Sequence, residues 1–326
     1  MLKIEELIEF DHIDNLVLGG AGFLGSHLID KLLAEGFNVV CLDDLSSGSL
    51  INLNHLKSYK NFNFIKHNII NPFNSKIPIK RIWHLASPAS PNLYQDNPLN
   101  TIKDIYEGTY NALMCAKDNS SKFLFTSTSE IYGITINDLQ FEDMPVSLST
   151  FSPRACYSEA KRLAETLIKT FSDQYKIDTR IARVFNTYGP RISFDDGRVV
   201  GAFIKQSFSN KELTIYGDGL QTRSFCYVDD LINGLIKLME SNYINPINIG
   251  NKEEISIIDL ANLIKEKVNP SLNLKFNNLP KDDPLRRKPS IKKANDYLNW
   301  QPKISINEGL NNTISFYKDS FKIKNK

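Results

Sequence analysis

The chain has 326 residues, of which 41% are hydrophobic and 23% charged, so it can bury a core large enough for one composite domain or two closely packed ones. Its 39 lysine and arginine residues nearly balance 37 aspartate and glutamate residues, and a formal net charge of +2 provides no long-range field that would favour nucleic acid or an anionic membrane. We therefore expect a globular protein without a nucleic-acid or membrane partner, in which a local cluster of cations binds any anionic ligand.

The N-terminal residues and the cysteines both favour a cytoplasmic location. Residues 1–14 contain five acidic side chains and lack the basic start and apolar stretch of a signal peptide. Four cysteines, Cys41, Cys115, Cys156 and Cys226, lie far apart without a CxxC pair. This spacing favours reduced thiols over disulfides or a zinc site, and we expect no bound metal.

Short apolar runs alternate with helical patterns through the first half of the chain. The predicted strands are 15–18, 38–42, 81–85, 122–127 and 180–185, and the predicted helices are 26–35 and 155–174. Such alternation is typical of βαβ units around a parallel sheet. We predict an α/β fold in which residues 1–185 form a Rossmann-type doubly wound parallel sheet and residues 186–326 form a smaller, mainly substrate-binding portion. The chain could cross back between the two.

A glycine-rich segment follows the first strand and opens the first helix. Gly19, Gly22 and Gly25 have the GxxGxxG spacing that lets a backbone approach a dinucleotide pyrophosphate at a helix N-terminus, although a plain tight turn would also use glycines. Asp43 ends the next strand, where a ribose-binding acid belongs. Its carboxylate would repel a 2′-phosphate and favours NAD over NADP. Asp44 would add to that repulsion unless it is only a solvated turn residue.

Two residues on the helix predicted at 155–174 form a YxxxK pair. Tyr157 and Lys161 are four residues apart and therefore share one helix face. An ammonium beside a phenol favours the phenolate, so a group whose usual pKa is about 10 could act as a base nearer neutral pH and later return the proton. An exposed pair without a chemical role has the same spacing, and both interpretations stay open.

Thr128 follows the strand predicted at 122–127 and therefore lies at a carboxyl end, where ligands bind in such sheets. Its hydroxyl could bind a reacting hydroxyl or cap a turn. Ser129 and Glu130 come directly after it, and each could equally be a capping or solvated residue.

These features occur in the order found in the extended short-chain dehydrogenase/reductases, which the chain resembles from about residue 16 to residue 317. Within that family it is most similar to the UDP-glucuronate decarboxylases. The stretches that carry the likeness are HLASPASP at 84–91, STSEIYG at 127–133, PRACY at 153–157, FNTYGPR at 185–191, DGRVV at 196–200 and QTRSF at 221–225. The decarboxylases have Ser-Glu at the positions of Ser129 and Glu130, whereas the related 4,6-dehydratases have an aspartate in place of the serine.

The resemblance implies NAD-dependent decarboxylation of UDP-glucuronate to UDP-xylose. Tyr157 would remove the C4 hydroxyl proton as hydride passes to NAD⁺, the 4-keto intermediate would lose CO2, and the retained NADH would reduce C4 again. Thr128 and Lys161 would complete the catalytic set with Glu130 and Arg223. The last two would act around the carboxylate and C5, although Arg223 could instead bind phosphate, and the residue that protonates C5 stays open.

The resemblance also implies ligand contacts and a homodimer built on a helix pair. The implied cofactor-binding residues are Gly19, Gly22, Phe23, Leu24, Gly25, Asp43, Asp44, Asn68, Ile69, Leu85, Ser87, Tyr157, Lys161, Thr187 and Arg198. The implied substrate-binding residues are Lys103, Ser129, Asn186, Arg191, Gln221, Arg223 and Arg287. Arg287 could instead belong to a solvated basic turn.

Several positions depart from the decarboxylase pattern, and Asp104 with Ile105 motivates one of two rival interpretations. Asp104 and Ile105 stand where threonine and asparagine are usual, and Asn68 replaces an aspartate expected to meet adenine. One rival is a nucleotide-sugar 4-epimerase or 4,6-dehydratase, which would share the oxidation of C4. Another is an NAD-binding regulatory protein that has lost its activity.

Overall fold

The computed structural model describes residues 1–133, 139–194, 197–279 and 286–324, with side chains described up to residue 318. Residue 196, which begins the DGRVV stretch, lies outside these ranges. The described strands are β1 (Leu2–Lys3), β2 (Ile13–Leu18), β3 (Val39–Asp43), β4 (Phe62–Lys66), β5 (Phe73–Asn74), β6 (Ile79–His84), β7 (Lys122–Thr128), β8 (Thr179–Val184), β9 (Thr187–Tyr188), β10 (Leu213–Tyr216), β11 (Thr222–Ser224), β12 (Cys226–Tyr227), β13 (Ile247–Ile249), β14 (Glu254–Ser256), β15 (Leu274–Asn277) and β16 (Arg286–Arg287).

The described helices lie between these strands and after the last of them. They are α1 (Phe23–Ala34), α2 (Pro91–Asp96), α3 (Pro98–Asn119), α4 (Ala155–Tyr175), α5 (Val199–Phe208), α6 (Val228–Glu240), α7 (Ile257–Val268), α8 (Lys292–Leu298) and α9 (Ile306–Lys324). Within the described ranges, no helix is both long enough and apolar enough to cross a membrane.

The core of the molecule is a parallel sheet with the strand order β13-β8-β7-β6-β2-β3-β4. The chain runs outward from β2 through β3 to β4 and then returns to β6 on the other side of β2. This reversal confirms the predicted doubly wound sheet and places a crevice between the ends of β2 and β6, where such folds bind ligands.

Helices cover both faces of the sheet because neighbouring strand residues point to opposite sides. In β2, Val17 belongs to a core cluster formed with α1, α5, α6 and α7. Leu16 and Leu18 belong to a second cluster formed with α3 and α4. All six residues of β2 are buried, as expected for a strand in the middle of a parallel sheet.

Residues 186–326 contribute one strand to this sheet and build three small sheets beside it. Residues 247–249 form β13, which extends the sheet beyond β8, although we placed the end of the sheet near residue 185. A strand of three residues is too short for its alternation to be recognised in the sequence. The small sheets are β10-β15, β14-β11-β16 and β12-β9.

Candidate active site

The loops after β2 and β6 touch each other at the crevice. Gly19 has a φ of +80°, and a Cβ atom there would lie 2.7 Å from both N and Cα of Ala86. A Cβ on Gly25 would lie 2.2 Å from the carbonyl oxygen of Gly19. Phe23 and Leu24 begin α1 after Gly22, and the first N–H groups of a helix have no acceptor within it. The loop is therefore a backbone cradle suited to a pyrophosphate.

Replacing Gly25 with alanine should lower both the melting temperature and the NAD affinity, the latter by at least about tenfold. The added Cβ overpacks a backbone contact, which typically costs about 1–3 kcal/mol, and moves the N–H groups of the cradle. Thermal unfolding and calorimetric titration with NAD⁺ measure the two effects. Gly36→Ala is the matched control, because Gly36 has a φ of +82° and no neighbouring atom within 4 Å of its Cβ position. It should lower stability and leave NAD affinity unchanged.

Asp43 closes the cradle at the end of β3. Its two carboxylate oxygens accept the N–H groups of Ala21 at 2.9 Å and Leu45 at 2.8 Å. Burial raises the pKa of Asp43, these hydrogen bonds lower it, and the charge of Asp44 raises it further. The Asp44 carboxylate itself accepts the N–H of Ser46 at 2.9 Å. Asp43 is thus fixed in position with lone pairs left for ribose hydroxyls, whereas Asp44 also caps its own turn.

The segment after β4 lies beside the end of β3, where the N–H of His67 donates to the carbonyl oxygen of Asp43 at 3.1 Å. The side-chain oxygen of Asn68 accepts the N–H of Ile70 at 3.0 Å, so this substituted residue orders its own turn. Ile69 packs against α3, where a Cβ on Gly108 would lie 2.7 Å from its Cδ1 atom. On the opposite side, Leu85 donates its N–H to Leu18 at 3.0 Å and leads into the half-buried Ser87.

The end of β7 and one face of α4 bring the predicted catalytic residues together. Thr128 is buried, accepts the N–H of Glu130 at 3.2 Å, and hydrogen-bonds Tyr157. Lys161 is buried and donates to the carbonyl oxygen of Thr126 at 2.8 Å. Neither Tyr157 nor Lys161 belongs to an exposed helix pair.

The pKa of Tyr157 differs from the expectation that Lys161 would lower it. Burial raises that pKa, the charge of Glu130 raises it further, and the hydrogen bond with Thr128 and the charges of Arg198 and Arg287 lower it. The ammonium of Lys161 points to Thr126 and lies 5.8 Å from the centre of the Tyr157 ring. Desolvation therefore outweighs the nearby cations.

Burial also lowers the pKa of Lys161 to about 7. The unfolded chain keeps an ordinary lysine, so between that value and about 10.4 it binds more protons than the folded chain, and stability should rise with pH. Relative to Lys161→Met, the ligand-free parent should gain on the order of 2 kcal/mol between about pH 6.5 and about pH 9. Urea unfolding of both proteins at each pH measures this difference in the free energy of unfolding. The contributions of the other titrating groups are the same in both proteins and cancel. Parallel curves would contradict the lowered pKa.

Two further residues complete the site and were missed in the sequence. Tyr94 on α2 stacks on Tyr157 with ring centres 4.7 Å apart and an angle of 2°, and its hydroxyl donates to Glu130 at 3.2 Å. Arg154 lies 3.5 Å from the other carboxylate oxygen of Glu130. Both residues stand in or next to the stretches that carry the family resemblance, which is the signal that could have identified them.

Two arginines from different strands lie side by side near Glu130. Arg223 on β11 is the register partner of Arg287 on β16, and both are buried. A guanidinium nitrogen of Arg287 lies 3.7 Å from Glu130, while its buried Nε has no hydrogen-bond partner. Neighbouring buried cations with an unsatisfied donor favour an anionic ligand.

The other residues that we predicted to bind the substrate contact neighbouring protein groups. Arg191 forms an ion pair with Asp30 of α1 at 2.7 Å. Lys103 is half exposed and lies 3.9 Å from Glu107 on the same helix. The Gln221 side chain donates to the carbonyl oxygen of Tyr216 at 2.7 Å. Ser129, directly after β7, is buried. The Asn186 carbonyl oxygen accepts the N–H of Cys226, and the Thr187 hydroxyl donates to the carbonyl oxygen of Phe185. Arg198 comes just before α5, and its guanidinium lies over the Phe23 ring.

The two α3 residues that depart from the decarboxylase pattern lie in different environments. Ile105 is fully buried in the core cluster that also contains Tyr157. Asp104 is half buried, and its pKa is raised by burial and by the charge of Asp44. Asp104 therefore places an additional negative charge near the turn that follows β3.

The sequence matches a known protein family. A model described as the NAD dependent epimerase/dehydratase family matches residues 15–250, which is more than half of the chain. The chain belongs to this family. Like other members of the epimerase/dehydratase family it uses NAD, and the glycine cradle and Asp43 fit that cofactor.

Similar proteins within the epimerase/dehydratase family include decarboxylases and epimerases. UDP-glucuronic acid decarboxylase 3 of Arabidopsis thaliana is 47% identical over 90% of this chain and 86% of its own length. UDP-glucuronic acid decarboxylase 1 of Xenopus tropicalis is 44% identical over 97% of this chain and 74% of its own length. The crystal structure of UDP-glucuronic acid 4-epimerase from Bacillus cereus with UDP-glucuronic acid and NAD has a TM-score of 0.84 and 29% identity, covering 94% of this chain and all of that one.

Proposed function

We propose that this chain is a UDP-glucuronate decarboxylase, a carboxy-lyase that forms UDP-xylose. The observation that carries the proposal is one site in which a buried Tyr157 and Thr128 adjoin Glu130 and the paired Arg223 and Arg287. A sugar with a reactive hydroxyl, a carboxylate and a diphosphate presents the groups that such a site can bind. The names of relatives at 44–47% identity support the same substrate.

Each side chain of the site has its own role in the proposed reaction. Tyr157 takes the C4 hydroxyl proton, and Thr128 holds the reacting oxygen. NAD, held by the glycine cradle and Asp43, would supply a hydride acceptor for the oxidation of C4 and a hydride donor for its final reduction. The resulting C4 ketone is β to the C6 carboxylate, so loss of CO2 leaves an enolate whose oxygen stays beside Tyr157 and Thr128. C5 of the enolate then takes up a proton, for which Glu130 and Arg223 are the candidate donors. Tyr157 finally returns its proton to the C4 oxygen when C4 is reduced.

Ser129 supports decarboxylation over dehydration. A 4,6-dehydratase has to protonate a departing hydroxyl, and this chain has a buried serine where the resembling dehydratases carry an aspartate. A hydroxyl is too weak an acid for that role at neutral pH. A 4-epimerase would share the oxidation at C4, but it would keep the carboxylate and reduce C4 from the opposite face.

Incubation with UDP-glucuronate and NAD⁺, followed by mass spectrometry and NMR spectroscopy of the nucleotide sugars, tests the proposal. We expect a UDP-pentose that has lost CO2. A product that keeps its mass and changes its C4 configuration would assign a 4-epimerase instead. Unchanged UDP-glucuronate, together with normal NAD binding, would favour a regulatory protein without activity.

We further propose a homodimer formed through α3 and α4. The side chains of Leu99, Ile102, Tyr106 and Tyr110 follow one face of α3 and are 41–79% exposed, and Leu163 on the adjoining α4 is 46% exposed. A continuous apolar stripe on two packed helices is typical of a protein interface.

In addition, the four free cysteines support a cytoplasmic location.

Replacing Tyr106 with glutamate should convert the dimer to a monomer, because it places a charge in the middle of this stripe. Light scattering coupled to size-exclusion chromatography measures the mass. Tyr59→Glu is the matched control, since Tyr59 is 46% exposed and lies outside both helices. A dimer that survives the Tyr106 change would exclude this face as the interface.

A further inference from the structure

The strand that carries Arg287 pairs with β11 over two residues, and the residues just after it are held by Gln140, whose backbone hydrogen-bonds Lys288 at 2.8 Å and Ser290 at 2.7 Å. β16 consists of Arg286 and Arg287, which pair in parallel with Thr222 and Arg223 of β11. It lies at the edge of the three-stranded sheet, and residues 280–285 before it are outside the described part of the chain. Two residue pairs fix a strand register weakly.

A carboxylate from the opposite edge of the same small sheet reaches across to this strand. Glu254 on β14 binds Arg286 through both oxygens, at 2.7 Å to Nε and 2.5 Å to Nη2. The Thr222 hydroxyl donates to the same carboxylate at 2.8 Å, and Lys288 lies 3.0 Å from it. These partners lower the pKa of Glu254 to about 2. Glu254 therefore connects all three strands as a charged clamp.

The clamp and the candidate active site lie on opposite faces of this sheet. Glu254 is the register partner of Ser224, and Thr222 is the partner of Arg286, so their side chains share one face. The alternate residues, Arg223 and Arg287, must then point to the other face, where Glu130 lies near Arg287.

This alternation matters because β16 contains two arginines in succession. The pairing with β11 alone does not distinguish Arg286 from Arg287, and a shift of one residue would exchange the faces to which they point. The carboxylate of Glu254 distinguishes them, since it engages only Arg286 when Arg287 lies beside Arg223.

We propose that Glu254 is a positioning residue that fixes the register of β16 through Arg286 and so presents Arg287 with Arg223 to the anionic groups of the substrate. The anion is the diphosphate or the sugar carboxylate of the nucleotide sugar, and this choice rests on the proposed function. Glu254 itself acts from the far face of the sheet.

Replacing Glu254 with glutamine tests its positioning role, because glutamine has nearly the same shape and lacks the negative charge. We expect the KM for UDP-glucuronate to rise about tenfold with a much smaller change in kcat, which is the effect of loosening one charge-assisted contact. NAD affinity, measured by calorimetry, should stay unchanged. Glu254→Asp should restore part of the lost affinity because it keeps the charge.

Arg286→Gln provides a second variant that removes the other half of the clamp. It should show the same rise in KM, and the double variant Glu254→Gln with Arg286→Gln should be no worse than either single one, since both disrupt one interaction. Additive effects, or unchanged substrate affinity in both single variants, would overturn the proposal. An equal loss of NAD affinity would also overturn it, because it would indicate general damage to the fold.

Calorimetric titration with UDP and with UDP-glucuronate separates this inference from the proposed activity. If Arg287 binds the diphosphate, Glu254→Gln should weaken both ligands equally. If it binds the carboxylate, only UDP-glucuronate should weaken. These binding results stand even if the parent protein releases no CO2, in which case the decarboxylase proposal alone would fail.

Discussion

Replacing Tyr157 with phenylalanine should lower kcat for UDP-xylose formation by about 10²- to 10⁴-fold, the usual contribution of a general base. The phenol oxygen is the atom that hydrogen-bonds Thr128, and no other titratable side chain is proposed to reach the C4 hydroxyl. The ring would remain stacked on Tyr94, so the fold and NAD affinity should be preserved. Product formation by mass spectrometry and NAD binding by calorimetry measure the two properties.

Tyr175→Phe is the matched control for this change. It removes a hydroxyl from the same helix, at a position that is 42% exposed and far along α4 from Tyr157. Its activity should equal that of the parent protein. Full activity of the Tyr157 variant would show that another group removes the C4 proton and would remove the central step of the proposed mechanism.

The second large effect is expected for Glu130→Gln, which should reduce UDP-xylose formation by about 10²-fold. The amide keeps the size of the side chain but loses the negative charge that faces Arg154, Arg287 and the Tyr94 hydroxyl. The KM for UDP-glucuronate should not rise, because the freed arginines lose a carboxylate that competes with the anionic substrate.

The same variant should also change the pH dependence of the residual activity. The charge of Glu130 raises the pKa of Tyr157, so its removal should shift the ascending limb of the pH profile toward lower pH. Glu159→Gln serves as the control. Glu159 lies on α4 with Tyr157 and pairs with Arg162, so its replacement should leave both the rate and the pH profile unchanged. An unshifted profile would mean that Tyr157 does not titrate in the rate-determining step.

The sequence predicted the features that depend on local pattern. Strand β2, helix α1 and strand β3 are recognisable because each apolar run is bounded by glycine or acidic residues, and Asp43 follows from its place at the end of β3. The combination of Thr128, Tyr157 and Lys161 required the family resemblance as well, because Thr128 lies on a different element from the other two residues.

The features that were missed depend on contacts between distant parts of the chain. Tyr94 reaches Tyr157 because α2 packs beside α4, and no spacing in the sequence records that contact. The ion pair between Arg191 and Asp30 likewise joins residues on separate elements. The raised pKa of Tyr157 reflects how deeply the ring is buried, which a helical YxxxK spacing does not determine.

The parallel contact between Tyr94 and Tyr157 restricts how the reactive oxygen can move. Rotation of a tyrosine ring about its Cβ–Cγ bond leaves the hydroxyl oxygen in place, because that atom lies on the rotation axis. Displacing it requires a tilt of the whole ring or a change of χ1, and a neighbouring ring at 4.7 Å blocks movement toward one side. Little orientational entropy is then left to lose when the sugar binds, so part of the cost of aligning base and substrate is already met by folding.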